Sequence, residues 1–191
     1  MIGTTFGPYR VESRLGGGGM GEVFTARDPE HGNRRVALKV LPDALSGDAQ
    51  YRARFRREAE LAARLSDPHI ATIHRYGEID GRLFLDMELV DGRDLAAAVA
   101  QGPLPPAAAV EIIEQIAGAL DTAHAGGLVH RDIKASNVLV AGGDNGRPPH
   151  AVLIDFGIAT ATDPGSATAL TRTGAVIGTL AYMAPERFQG E

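Results

Sequence analysis

The first ninety residues carry mostly the period-two alternation of apolar and polar positions that marks strands. YRVESRLG (9–16) and EVFTARD (22–28) flank a run of glycines, and RRVALKVL (34–41) is a compact apolar run with β-branched residues. The stretch 48–66, DAQYRARFRREAELAARLS, has a helical period instead. Tyr51, Phe55, Ala59, Ala62 and Leu65 share one face, and the arginines lie mainly elsewhere. TIHRYGEI and RLFLDMELV predict two further strands joined by a tight turn at Asp80-Gly81.

After Asp91-Gly92 the pattern turns helical. DLAAAVAQG predicts a short helix stopped by Gly102-Pro103. PAAAVEIIEQIAGALDTAHAGG predicts a long one, opened by Pro105-Pro106 and ended by Gly126-Gly127, with Val110, Ile113, Ala117 and Leu120 on one face. NVLV and AVLID then read as short strands joined by AGGDNGRPPH, and residues 160–178, rich in Thr, Ala and Gly, read as a mobile loop. No internal repeat is visible. The order is a β-rich part followed by an α-rich part, with a hinge near 88–92.

Length and charge fit this picture without refining it. A chain of 191 residues suits one domain or a two-lobed domain. The net charge of −5 and the absence of a basic stripe argue against nucleic acid. The lack of cysteine excludes disulfides, thiolate zinc sites and a cysteine nucleophile. No apolar run approaches the roughly 18 residues of a membrane span, and the N-terminus lacks the apolar core of a signal peptide. A cytoplasmic protein is the expectation. One count does change the picture: Lys39 and Lys134 are the only lysines beside 17 arginines. One reading is that both sit where a compact ammonium is needed and a planar guanidinium is too large; chance is the alternative.

LGGGGMGEV contains G-x-G-x-x-G as Gly16, Gly18 and Gly21. Here the glycines precede a strand rather than a helix, so they suit a hairpin that lays backbone N–H groups over a polyphosphate; a plain turn is the alternative. Lys39, in VALK on the third strand, is placed to reach phosphate oxygens beneath that hairpin and needs an anion to hold it. Glu58 and Glu60 are candidates. Glu58 lies nearer the apolar face and so needs a partner, unless it merely pairs with Arg54 one turn back. In HRDIKASN, Asp132 suits a proton acceptor, Lys134 a neutraliser of phosphoryl charge, and Asn137 an oxygen ligand for a hard cation. Asp155, in IDFG at the end of an apolar strand, suits a magnesium chelator, since Mg2+ takes few protein ligands and completes its octahedron with phosphate and water.

Taken together and in this order, these motifs resemble those of the eukaryotic-like serine/threonine protein kinases of bacteria, from about Tyr9 to Glu186. The resemblance implies an α+β fold of two lobes: a β-rich N-lobe with one main helix (1–90) and an incomplete, mainly helical C-lobe (91–191). It implies a glycine loop from Gly16 to Val23, Ala37 with the strand lysine Lys39, and Glu58 as that lysine's helix partner. Met87 would stand beside adenine, the backbones of Glu88 and Val90 would bond the ring, and Asp94 would reach the ribose. Asp132 becomes the catalytic base, Lys134 the helper typical of Ser/Thr specificity, and Asn137 and Asp155 the metal ligands. The cofactors implied are ATP and Mg2+, with Mn2+ as a substitute. The partners are protein substrates and a homodimer for autophosphorylation. Arg131 would pair with a phosphothreonine, for which Thr171 and Thr173 are the candidates, while Thr179 would help position Asp132 and Lys134. Ala184-Pro185-Glu186 gives the A-P-E segment. His124 and His130 read as packing residues.

The sequence departs from the family pattern in three places. Ala135 stands where proline is usual, the 141–150 link is long, and only five residues follow Glu186, where the family continues with several helices. The expectation is a truncated or partial chain whose long helix leaves an apolar face open. A nucleotide-binding or regulatory module without turnover is the alternative reading, and a small-molecule kinase of related fold a third.

Overall fold

The structure is a computed structural model that describes residues 1–18, 21–142, 148–159 and 182. Its first part is a six-stranded antiparallel sheet in the order β1-β2-β3-β4-β6-β5. The strands are β1 (Thr5–Phe6), β2 (Tyr9–Gly18), β3 (Gly21–Asp28), β4 (Arg34–Val40), β5 (Ile73–Ile79) and β6 (Arg82–Glu88). The expected strands all form. Asp80 and Gly81 both take positive φ, 49° and 77°, as a two-residue hairpin turn requires. The sheet separates two apolar clusters. Val36, Leu38 and Val40 of β4 pack with Phe6, Tyr9, Val11, Phe24 and Phe84 on one side, while Leu83, Leu85 and Met87 of β6 face the other cluster. Lys39 stands in β4 between buried neighbours and is itself only 4% exposed.

Between β4 and β5 lie α1 (Asp43–Ser46) and α2 (Ala49–Ala63). The Asp48 carboxylate caps α2 by accepting from the N–H groups of Gln50 and Tyr51. The helix buries Tyr51, Phe55, Ala59 and Ala62, as its period predicts, and Glu58 beside them. Two-residue β1 and four-residue α1 are too short to leave a periodic signal, and neither was expected.

The second part holds a three-stranded sheet, β7-β8-β9, built from β7 (Arg93–Asp94), β8 (Val138–Gly142) and β9 (Pro149–Leu153), with α3 (Leu95–Val99) and α4 (Pro106–Ala125). Gly127, at φ 75°, ends α4 in the left-handed conformation. The buried face of α4 is Ile112, Ile116, Ala119 and Ala123, while the face of Val110 and Ile113 stays open, as expected of it. Val110 and Ile113 are 57% and 64% exposed. Both stripes are apolar, so the period alone does not choose between them. The choice is made by Gln115, which donates to the Pro149 carbonyl (2.8 Å) and accepts from the Ala151 N–H (2.7 Å), fixing α4 against β9.

The loop after α2 joins the two parts. Leu153 N donates to His69 O (2.8 Å), Ala71 N donates to Leu153 O (3.0 Å), and His69 Nδ1 donates to Ala151 O (2.8 Å). Asp67 accepts from Thr122 Oγ of α4 at 2.8 Å. The strand that leads to Asp155 is therefore held on both edges.

Candidate functional site

The glycine hairpin joins β2 to β3, and Gly18 pairs with Gly21 at its described end. A Cβ at Gly16 or Gly18 would meet nothing within 4 Å, whereas one at Gly21 would lie 2.5 Å from the Val40 carbonyl oxygen. Gly21 also has φ 116°. Two of the motif glycines thus leave space open, while the third is demanded by the backbone packing of the hairpin on β4. Val23 lies opposite Lys39, and Ala37 opposite Met87, across neighbouring strands.

Lys39 Nζ lies 2.5 Å from Asp155 Oδ1, with the lysine side chain 5% and the aspartate 30% exposed. Glu58 does not hold Lys39. Its carboxylate pairs with the Arg131 guanidinium, which corrects the expected Lys39–Glu58 pair. Asp155 reaches Lys39 from a left-handed backbone (φ 62°), and Arg131 reaches Glu58 from another (φ 64°). Arg54, the alternative partner one turn back, lies over the Tyr51 ring instead, 5.9 Å from its centroid.

The loop after α4 holds the second group. Lys134 Nζ donates to Asp132 Oδ2 at 2.7 Å, and Asn137 Nδ2 donates to the same oxygen at 3.0 Å and to the Asp132 backbone carbonyl at 2.8 Å. Both donors go to Oδ2, which leaves Oδ1 of Asp132 as the oxygen to accept a further proton. The amide orientation of Asn137 is fixed by the same bonds, since turning it would set oxygen against two acceptors. Its Oδ1 is therefore the atom available to a cation. That oxygen and the Asp155 carboxylate form the hard, oxygen-only donor set that Mg2+ or Mn2+ takes, so the residues present fit such an ion.

His130 supports both groups. It is 1% exposed, its Nε2 donates to Ile154 O at 3.2 Å, and its Nδ1 accepts from Asp132 N at 3.3 Å. Burial holds its pKa below the ordinary imidazole value, consistent with the neutral tautomer these bonds require. Its ring lies 4.7 Å from that of Phe156, and its carbonyl accepts from Gly157 N at 2.9 Å. The packing role expected of His130 is the one it has.

At the junction of the two parts, Met87 is 8% exposed. The Glu88 N–H donates to Thr72 O at 2.8 Å, and the Glu88 carboxylate accepts from Thr72 N at 3.3 Å. Val90 is half-buried. Asp94 caps α3 by accepting from Ala97 N at 2.7 Å, so one carboxylate oxygen is committed there. Thr171, Thr173, Thr179 and the segment Ala184-Pro185-Glu186 lie outside the described residues. The sequence reading missed the support that Thr72 and His69 give. Thr72 acts through its backbone, which leaves no mark in side-chain identity, and a polar residue beside a proline in Asp67-Pro68-His69 reads first as a turn.

Comparison with known proteins fits this geometry. Residues 9–191 match the family described as the protein kinase domain. The chain is 52% identical over 192 residues to the serine/threonine-protein kinase PknD of Mycobacterium tuberculosis, covering 100% of this chain and 27% of that protein. It is 51% identical over 187 residues to PknE of Mycobacterium bovis, covering 97% of this chain and 31% of that one. The chain therefore spans under a third of the length of these relatives. Among solved structures, the kinase domain of M. tuberculosis PknI superposes with a TM-score of 0.72 at 43% identity, over 83% of this chain and 63% of that one.

Proposed function

This chain belongs to the protein kinase family and has its α+β fold; from that premise we propose that it transfers the γ-phosphoryl group of Mg-ATP to serine or threonine hydroxyls of proteins. The observation that carries the reading is the pair of clusters just described: a buried lysine paired with Asp155, and an aspartate held on one oxygen by a lysine and an asparagine.

In this reading residues 1–90 form the nucleotide-binding lobe and 91–191 a partial substrate lobe. Gly16, Gly18 and Gly21 cover the phosphates, and Val23, Ala37 and Met87 line the adenine site. The backbones of Glu88 and Val90 bond its edge, and Asp94 reaches the ribose with its uncommitted oxygen. Asn137 and Asp155 would hold Mg2+, which would supply neutralisation of charge on the phosphates. The substrate hydroxyl oxygen bonds to the γ-phosphorus as the bond to the ADP oxygen breaks, and its proton passes to Oδ1 of Asp132. Lys134 keeps Asp132 in place and offsets charge on the phosphoryl group. Catalysis of this kind is mainly positioning and charge neutralisation. Thr171 and Thr173 are the sites of autophosphorylation, carried out between two copies, with the kinase domain in the cytoplasm where ATP is supplied.

Asp132→Asn is the decisive variant. Retained fold with lost transfer of radiolabelled phosphate supports the assignment, and undiminished transfer refutes it. A second reading, a nucleotide-binding module without turnover, draws on the pairing of Glu58 with Arg131 instead of Lys39. Thermal shift with Mg-ATP beside a transfer assay on one sample separates the two.

A further inference from the structure

We propose that His69 and His150 bind one borderline transition-metal ion, of the Zn2+ or Cu2+ kind, at the seam where the loop after α2 meets β9. The site is separate from the oxygen donors Asn137 and Asp155 and takes a different class of metal.

The two imidazole rings lie 5.0 Å apart, centre to centre, with their planes inclined at 46°. That inclination is neither a stack nor an edge-to-face contact, so ring attraction does not by itself account for the pairing. A ligating imidazole nitrogen sits about 2.0–2.1 Å from zinc, which puts the ring centre about 3.2 Å from the ion. Two such rings at the tetrahedral angle have centres about 5.2 Å apart. The observed spacing matches a pair sharing one ion, with the remaining positions left to water.

The protonation of His69 suits a ligand. Its Nδ1 donates to the Ala151 carbonyl at 2.8 Å, which puts the proton on Nδ1 and the lone pair on Nε2. A ligating histidine is ordinarily held in this way, by a carbonyl or carboxylate on its other nitrogen. His150 is exposed on β9, between buried Pro149 and Ala151. The two carriers are bonded to each other, Leu153 N to His69 O (2.8 Å) and Ala71 N to Leu153 O (3.0 Å), so the rings are positioned before an ion arrives. Nitrogen donors favour Zn2+, Cu2+ and Ni2+ over Mg2+. Asp28, Glu30 and His31 also bring three ligand atoms together, but the Arg34 and Arg75 guanidiniums stand 3.7 and 3.5 Å from Asp28 Oδ2 and already supply its positive charge. An ion on both rings of the His69–His150 pair would tie the loop after α2 to the strand that leads to Asp155.

The test titrates Zn2+ and, separately, Cu2+ into the folded chain by calorimetry, with excess Mg2+ present to occupy oxygen sites. One ion per chain is expected, Cu2+ tighter than Zn2+, with a raised melting temperature. His150→Phe keeps a ring beside His69 and removes the nitrogen, while His150→Ala removes both. Each is expected to weaken Zn2+ binding about ten-fold or more and to abolish the rise in melting temperature, whereas His31→Ala should change neither. Melting curves without metal establish that the variants are folded, as the exposure of His150 leads one to expect. Zn2+ binding of wild-type strength in His150→Phe or His150→Ala overturns the proposal. So does loss of binding in His31→Ala, or a folded wild type that binds neither ion.

Discussion

Asn137 donates through one amide nitrogen to both the backbone carbonyl (2.8 Å) and the carboxylate (3.0 Å) of Asp132. The proposed base and a proposed metal ligand are thus one rigid unit. Asn137→Ala removes the cation's oxygen and both restraints on Asp132 together. The expected result is a fall in turnover of about 10²–10⁴-fold, the range for a displaced general base, with a raised Mg2+ requirement. A Mg2+ titration of initial rates checks it, and an unchanged half-saturation would remove Asn137 from the metal site.

The motif glycines should not respond alike. Gly21→Ala forces a side chain into a backbone of φ 116° and against the Val40 carbonyl, a strain of about 1–3 kcal/mol. Gly16→Ala and Gly18→Ala meet open space and should leave thermal stability nearly unchanged while weakening nucleotide binding. Melting curves and nucleotide affinities on the three variants would contradict this if Gly16→Ala were the least stable.

Helix α4 offers a test of which apolar stripe is core. Ile112→Ala or Ile116→Ala should cost about 2–5 kcal/mol, because both residues are nearly fully buried. Val110→Ser and Ile113→Ser should be close to neutral in this chain. Urea denaturation of the four variants decides, and the reverse order would mean the stripes are exchanged.

Acidification should destabilise the fold. Burial lowers the pKa of His130 and of His74, the latter with help from Arg34. Between those lowered values and the unfolded value of about 6.5, the unfolded chain binds more protons, so stability falls as pH drops through about 6.5. Asp86 works the other way: burial raises its pKa, so it contributes stability as pH falls through that raised value. Melting temperatures from pH 7.5 to 5.5 should therefore decline, and less steeply in His130→Asn. A rise over that interval would contradict the assignment.

What the sequence made legible follows from the kind of signal each feature leaves. The strands around Lys39, the capped helix carrying Phe55, and the spacing of Asp132, Lys134 and Asn137 are written in side-chain identity and period. The buried stripe of α4 was not legible, because Val110 and Ile113 are as apolar as Ile112 and Ile116, and it is the bonds from Gln115 of α4 to β9 that break the tie. The partner of Glu58 was not legible either. Its burial announced the need for a cation, but Lys39 and Arg131 both satisfy that need, and the decision rests on two left-handed residues, Arg131 and Asp155. Sequence patterns fix which charges must be neutralised more readily than which charge neutralises which.

The tether that runs from Asp67 to Thr122 and from His69 to β9 makes the C-terminal end of α2 a fulcrum. Glu58 sits five residues before that end, about 7.5 Å along the axis at a rise of 1.5 Å per residue. A tilt of about 20° would swing its carboxylate by roughly 3 Å on this lever, a distance comparable to one ion-pair contact. A substitution that loosens the anchorage, such as Thr122→Val, would thus be felt at the Glu58–Arg131 pair without touching a single group that meets nucleotide.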